Sequence, residues 1–189
     1  MSELSAAGWL VTLAVAAAAA LVWLYNGLVR LRNHVQSAWS QIDVQLKRRH
    51  DLIPNLVAAV RGYLQHEQDV LTRVTEARTR AVAASGAGEA GAAEGELGRA
   101  VGRLLAVIEA YPDLKANANV LALQEELITT ENRIGFARQL YNDLVARYNT
   151  RQQVFPVNLL ARSLGFAPAD FFQADAAERA VPAVDLGRR

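Results

Sequence analysis

Apolar positions recur along most of this chain at alternating steps of three and four residues, the spacing that keeps one face of a helix hydrophobic. Leu28, Leu31, Val35, Ala38 and Ile42 begin one such seam. Leu46, Arg49, Ile53, Val57, Val60, Leu64, Glu67, Leu71 and Val74 carry it on, with Arg49 and Glu67 as two charged interruptions. The rhythm predicts a long packed helix through the whole of this stretch. Val101, Leu104, Leu105 and Ile108 predict a shorter helix that stops at Pro112. A second long helix follows on Val120, Leu123, Leu127, Thr130, Ile134, Ala137, Tyr141, Leu144 and Tyr148, with Asn117 or Asn119 placed to cap its start. No segment alternates in the manner of a strand.

Breakers refine this outline. Pro54 lies inside the first seam, and two readings compete there. Asp51 can cap a new helix with Pro54 in its first turn, or the helix can continue with a kink. The seam passes through the proline nearly in register, which favours continuation. Residues 83–98 (AASGAGEAGAAEGELG) are rich in glycine and predict a flexible loop. Gly86, Gly88 and Gly91 within it spell G-x-G-x-x-G, but no strand precedes them, so a dinucleotide site is not implied. Four of the five phenylalanines, Phe155, Phe166, Phe171 and Phe172, fall near the end. They are expected to plug one end of a bundle, with an exposed lipid or partner patch as the alternative. A short helix over 157–164 should stop at Gly165 in a left-handed conformation. Beyond residue 173 the chain reads as a mostly disordered tail, with 181–186 as its one apolar stretch.

The N-terminus has a different pattern. Residues 4–24 (LSAAGWLVTLAVAAAAALVWL) contain no charge. At about 1.5 Å per residue they span roughly 30 Å, the thickness of a bilayer's hydrocarbon core. Trp9, Trp23 and Tyr25 bracket the run at the depths where interfacial aromatics gather. A cleaved signal peptide shares the apolar run but wants a basic start, and only Glu3 precedes this one. Arg30, Arg32, Lys47, Arg48 and Arg49 all follow it. That asymmetry predicts a cytoplasmic domain and an N-terminus outside. Ala14, Ala16, Ala18 and Ala20 offer a weak small-residue surface for helix association. The fold class expected is all-α: an N-terminal transmembrane helix followed by an antiparallel bundle of long helices. Residues 1–25 form the anchor, 26–173 the bundle and 174–189 the tail.

Composition narrows the function. A net charge of +1 argues against a protein built mainly to bind nucleic acid. With no cysteine there are no disulfides, thiolate metal sites or cysteine nucleophiles. His34, His50 and His66 are too far apart for a helical metal motif. Adjacent His66 and Glu67 would point about 100° apart on a helix. Neither a nucleophile elbow nor a phosphate loop is present. The Lys47-Arg48-Arg49 run is expected to pair with acids of the last long helix, such as Glu125, Glu126 or Glu131. Asn26, Asn33, Gln45, Asn55, Asn132, Asn142 and Asn149 are many amides for long helices, and they are expected either to fix register or to face water. No catalytic, cofactor-binding or metal-binding residue is therefore assigned, and a non-enzymatic role is expected. A crevice enzyme using His66, Glu67 or Glu131, or a periplasmic receptor in inverted topology, are the alternatives.

Several segments taken together resemble the LemA family: residues 25–32 (YNGLVRLR), 35–43 (VQSAWSQID), 45–57 (QLKRRHDLIPNLV), 110–117 (AYPDLKAN) and 131–134 (ENRI). Gly62-Tyr63, His66-Glu67, Tyr141-Asn142, Tyr148-Asn149-Thr150, Phe155-Pro156 and Gly165-Phe166 extend the likeness across residues 22–173. The resemblance implies an N-terminal anchor and a cytosolic helical bundle with no accepted catalytic activity or cofactor. It implies an accessory or organising factor at a bacterial membrane, sometimes linked with a membrane protease. From the residues themselves, the apolar run and the long amphipathic helices, the expected partners are bacterial inner-membrane lipid, further copies of the chain or a membrane protein, with no small-molecule substrate identified. The motif residues are carried over as structural. They are Asn26, Arg30, Asn33, Trp39, Asp43, Arg48, Arg49, Asp51, Pro54 and Asn55 in the first seam, and Tyr111 and Pro112 in the turn. Glu131, Asn132, Tyr141, Asn142, Tyr148 and Asn149 follow in the last long helix, and Phe155, Pro156, Gly165 and Phe166 after it.

Overall fold

The computed structural model describes residues 2–173, with side chains from Gly8 onward, so the predicted tail lies outside the described residues. The described chain is all-α, as expected. Its helices are α1 (Ser2–Val60), α2 (Gln68–Ala83), α3 (Gly86–Glu109), α4 (Pro112–Lys115) and α5 (Ala118–Gln153), followed by a single 3-10 turn at Val157–Leu159. The chain divides into two compact units. Among the described residues, one combines 2–38 with 143–169, and the other combines 39–142 with 170–173.

The larger unit is a bundle around a core in which Leu52, Ile53, Leu56, Val57 and Val60 meet Leu64, Leu71, Val74, Leu97, Val101, Leu104, Ile108, Leu114, Val120 and Leu127. Every seam position from Leu46 to Val74 except Glu67, which is half-buried, is buried, as the periodicity requires. The seam is not one helix, however. α1 stops at Val60, the chain reverses through residues 61–67, and α2 takes up the pattern. Arg61 and Leu64 N–H groups still bond back to Val57 and Val60 carbonyls, and the Gln65 amide caps the Gly62 carbonyl at 3.3 Å. These bonds let the turn keep Leu64 in the core, so the apolar rhythm survives a break in the helix.

Pro54 does not end α1, which resolves the choice made on sequence in favour of continuation. A proline in a helix interior withholds the N–H that would bond the carbonyl four residues earlier, here that of His50. Arg78 of α2 supplies the missing donor, its Nε lying 2.7 Å from the His50 oxygen. Arg78→Met should therefore strand that carbonyl and cost about 1–3 kcal/mol. Chemical denaturation of the detergent-solubilised chain, followed by circular dichroism, measures this. An unchanged midpoint would mean that solvent satisfies the carbonyl instead.

The glycine-rich segment 83–98 corrects the sequence reading. Only Ala84 and Ser85 lie outside helices, and α3 begins at Gly86, whose φ of +79° suits glycine. The Glu89 carboxylate accepts the Ser85 N–H at 3.0 Å, closing the new N-terminus. Interior glycines lower helix propensity by about 1 kcal/mol each, yet here tertiary packing prevails. Ala90, Gly91, Glu94 and Leu97 are buried and continue the seam of Val101, Leu104 and Ile108 backwards. Gly91 is needed for its size: a Cβ there would stand 2.5 Å from the Gln173 carbonyl oxygen. α3 ends at Glu109, ahead of Pro112, which instead opens α4. Asn117 then caps α5, its side-chain oxygen accepting the N–H groups of Asn119 and Val120 at 3.0 and 3.3 Å.

The smaller unit contains the uncharged run. Within α1 it is the one described stretch apolar enough to cross a membrane, and none of that stretch is buried in the protein. Leu28, Val35 and Ala38 are buried in this unit, as are Val145, Tyr148, Val157, Ala161 and Phe166. The helix expected over 157–164 is only a 3-10 turn followed by turns, although Gly165 does take the left-handed φ of +76°.

Candidate functional site

The larger unit buries an ionic cluster assembled from three helices. Arg49 stands on the apolar seam of α1 and is 5% exposed. Its guanidinium lies 3.1 Å from Glu94 of α3 and 3.1 Å from Glu131 of α5. His50, the next residue of α1, places Nε2 2.5 Å from the other oxygen of Glu94. Glu94 is 4% exposed, so both of its oxygens are occupied by buried donors. Gly98, one turn beyond Glu94 on α3, makes the space, since a Cβ there would approach the Arg49 guanidinium to 3.2 Å. A cleft of about 300 Å³ adjoins the cluster, lined by Gly98, Arg99, Glu131 and Arg138.

Around this centre the structure pairs the basic run as expected. Arg48 meets Glu126 at 2.8 Å and Arg49 meets Glu131. Lys47 instead bonds Asp43, one turn back on α1. That hydrogen bond, with the attraction of the Asp43 charge, raises the Lys47 pKa above its usual value. A charge taken out of water must be matched, and removal of one partner from such a pair is far costlier than its net contribution suggests. The cluster therefore locks α1, α3 and α5 in one register. Chemically, it holds a histidine and two carboxylates, but no three such side chains among the described residues are placed to hold a metal ion together.

A second set of motif residues grips the segment after α5. The Asn142 side chain accepts the Phe172 N–H and donates to the Phe172 carbonyl, each at 3.0 Å. Trp39 packs against the rings of Tyr141 and Phe172. The Tyr141 hydroxyl donates to the Asp170 carbonyl at 2.8 Å. Burial raises the Tyr141 pKa, and the nearby Asp170 carboxylate adds to the shift. Only the protonated phenol donates that bond, so its stabilisation is complete below pH 10.0, the ordinary tyrosine value, and is lost as pH rises through the raised one. Alkaline unfolding should thus weaken in its pH dependence in Tyr141→Phe, read by the change in urea midpoint with pH. An unaltered slope would assign the effect to other groups.

In the smaller unit Asn149 acts in the same way as Asn142, bonding the Ala169 N–H and carbonyl at 2.9 Å each. Tyr148 is buried there, its pKa raised by burial and partly lowered by Arg32. Phe166 stands edge-on to Tyr25 and beneath the Arg32 guanidinium. The other motif residues engage less. Asn26, Arg30, Asn33, Asp51, Pro54, Asn55, Pro112 and Asn132 are exposed, as are Phe155 and Pro156, whereas Tyr111 is half-buried against the core. The phenylalanine cluster is thus split: Phe166 and Phe172 fill cores, while Phe155 is 74% exposed. His66 is exposed in the turn after α1. Sequence reading missed Glu94 and His50. Glu94 was hidden by the supposed loop, although its place on the seam with Leu97, Val101 and Leu104 marks it.

Residues 38–186 match the model of the LemA family. The chain belongs to the LemA family. Two magnetosome proteins of Paramagnetospirillum magneticum, MamQ 1 and MamQ 2, are each 28% identical to it over 185 residues, covering 84% of this chain and 68% of theirs. Protein LemA of Metamycoplasma hominis is 28% identical over 155 residues, covering 82% of this chain and 71% of its own. The matched LemA region holds both the ionic cluster and the asparagine clamps. With the apolar, unburied start of α1, these relationships identify a membrane-associated LemA-family protein.

Proposed function

We propose that this LemA-family chain is a single-pass scaffold or accessory protein of the bacterial inner membrane, with its N-terminus outside and its helical domain in the cytoplasm. The observation that carries this reading is the uncharged run of residues 4–24, whose described part is solvent-facing, followed by a flank in which Arg30 and Arg32 precede the first acid, Asp43. An assembly role is favoured over catalysis because the buried ionisable groups are spent on one another. Arg49, His50 and Glu94 satisfy each other within the protein, an arrangement suited to holding helices in register. The magnetosome relatives are consistent with work as part of an assembly. The partners envisaged are membrane lipid, further copies of the chain and a membrane protein such as a protease.

Three measurements test the components separately. Intact mass and alkaline-carbonate extraction should find residues 4–24 retained in the membrane pellet; a mature chain lacking them overturns anchoring. A phosphatase fused after Arg189 should be inactive and a fluorescent protein there active; the reverse makes the domain periplasmic. Light scattering of detergent-purified protein should reveal assemblies larger than one chain, and a strict monomer at micromolar concentration removes self-association.

A further inference from the structure

The end of the smaller unit that carries the anchor also carries an apolar surface left outside its core. Val157 and Ala161 of the segment after α5 are buried, but Val154, Phe155, Leu159 and Leu164 are exposed by 47%, 74%, 68% and 45%. Residues 154–164 contain no acid and one base, Arg162. Large exposed apolar side chains in one short segment of turns, with basic neighbours, have the composition of a surface that lies in a membrane interface.

Its depth follows from contacts within the same unit. The Arg151 guanidinium lies 5.8 Å from the ring centre of Trp23, the last aromatic of the uncharged run. Phe166, just past the segment, stands edge-on to Tyr25. Tryptophan at the end of a span sits at headgroup level, where an arginine reaches phosphates. Helical bonding continues from Arg151 as far as Val154, whose N–H bonds the Thr150 carbonyl at 3.2 Å. Arg151 reaches Trp23 and Phe166 meets Tyr25, so the end of α5 and the segment after it lie beside the end of the uncharged run. Phe155 follows just past the end of α5 at Gln153, and so lies close to the headgroup level that Trp23 and Arg151 mark.

We propose that residues 154–164 form a second, shallow membrane contact. Phe155 and Leu159 insert into the boundary between headgroups and acyl chains, and Arg151 and Arg162 face lipid phosphates. The occupant is a phospholipid surface, and the inference rests on the anchored reading above. Its consequence is a fixed tilt and rotation of the smaller unit relative to the bilayer, which a lone helix does not impose.

The absence of cysteine allows the test to be made on the full chain. Single variants Phe155→Cys, Leu159→Cys, Val15→Cys and His34→Cys are nitroxide-labelled and reconstituted at high dilution in phosphatidylcholine–phosphatidylglycerol vesicles. Power-saturation spectroscopy compares collisions with oxygen, which enters lipid, and with a nickel chelate, which stays in water. The oxygen-to-nickel ratio should be several-fold higher at 155 and 159 than at exposed His34, and should approach that at Val15 in the span. A lipid-like Val15 with water-like 155 and 159 overturns the second contact and leaves the anchor standing. A water-like Val15 overturns both. Protection of 155 and 159 from both reagents that disappears on further dilution in lipid assigns the surface to a second copy of the chain and overturns the lipid contact. Because both side chains are mostly exposed, their replacement leaves the core intact, and an unchanged helical circular dichroism spectrum verifies folding.

Discussion

Glu94→Ala is expected to lower the unfolding free energy by about 3–5 kcal/mol, the usual penalty for stripping one partner from a buried ion pair. The magnitude comes from what the substitution leaves behind. Arg49 and His50 stay buried on α1, and both lose the carboxylate that compensates their desolvation. Glu131 still touches Arg49, but it is 58% exposed in its side chain and cannot replace a partner that is 4% exposed. Glu131→Gln should accordingly cost under about 1 kcal/mol, as solvent-screened pairs do. A triple variant, Glu94→Leu with Arg49→Met and His50→Leu, should recover most of the loss, because apolar groups of similar volume carry no desolvation penalty. Urea unfolding of the solubilised chain measures all three. Equal losses for Glu94→Ala and Glu131→Gln would deny the cluster its role in holding the helices together.

The cluster also marks the limit of what the sequence discloses. Positions on a three-four seam follow from helix geometry alone, so Val120, Leu127, Thr130, Ile134, Tyr141 and Tyr148 are buried as read. Arg49 was conspicuous as a charge on such a seam, and its pairing with Glu131 was anticipated from charge alone. Glu94 was not, because local glycine content outweighed the periodicity through Leu97 and Val101. Propensity is local, whereas the burial that rescues α3 is tertiary. The same limitation hid the reversal after Val60, since a turn that keeps Leu64 in the core leaves no gap in the pattern. Pro54 was legible as a helix interior residue, but its compensation by Arg78, far along the chain, was not.

Asn142→Ala should cost about 2–4 kcal/mol, because it strands both backbone groups of Phe172, each worth about 1–3 kcal/mol when left unpaired. Phe172 is 1% exposed, so water cannot readily take the place of the amide. The amide was one of many asparagines whose role the sequence left open between register and solvent. The structure separates them by geometry: Asn26, Asn33, Asn55 and Asn132 are exposed, whereas Asn142 presents donor and acceptor together to one peptide unit. Asparagine suits that task because its side chain repeats the donor–acceptor pair of a backbone amide. Asn142→Asp tests the point, since a carboxylate accepts the Phe172 N–H but cannot donate to its carbonyl. It should fall between wild type and Asn142→Ala at neutral pH. Hydrogen exchange at the Phe172 amide reads the local effect: faster exchange in Asn142→Ala, with slower exchange retained in Asn142→Asp, is the expected order. Release of Phe172 from Trp39 should also change tryptophan fluorescence, since the two rings lie 6.0 Å apart. If the Phe172 amide exchanges at the wild-type rate in Asn142→Ala, the segment is held by its aromatic packing and the amide clamp is incidental.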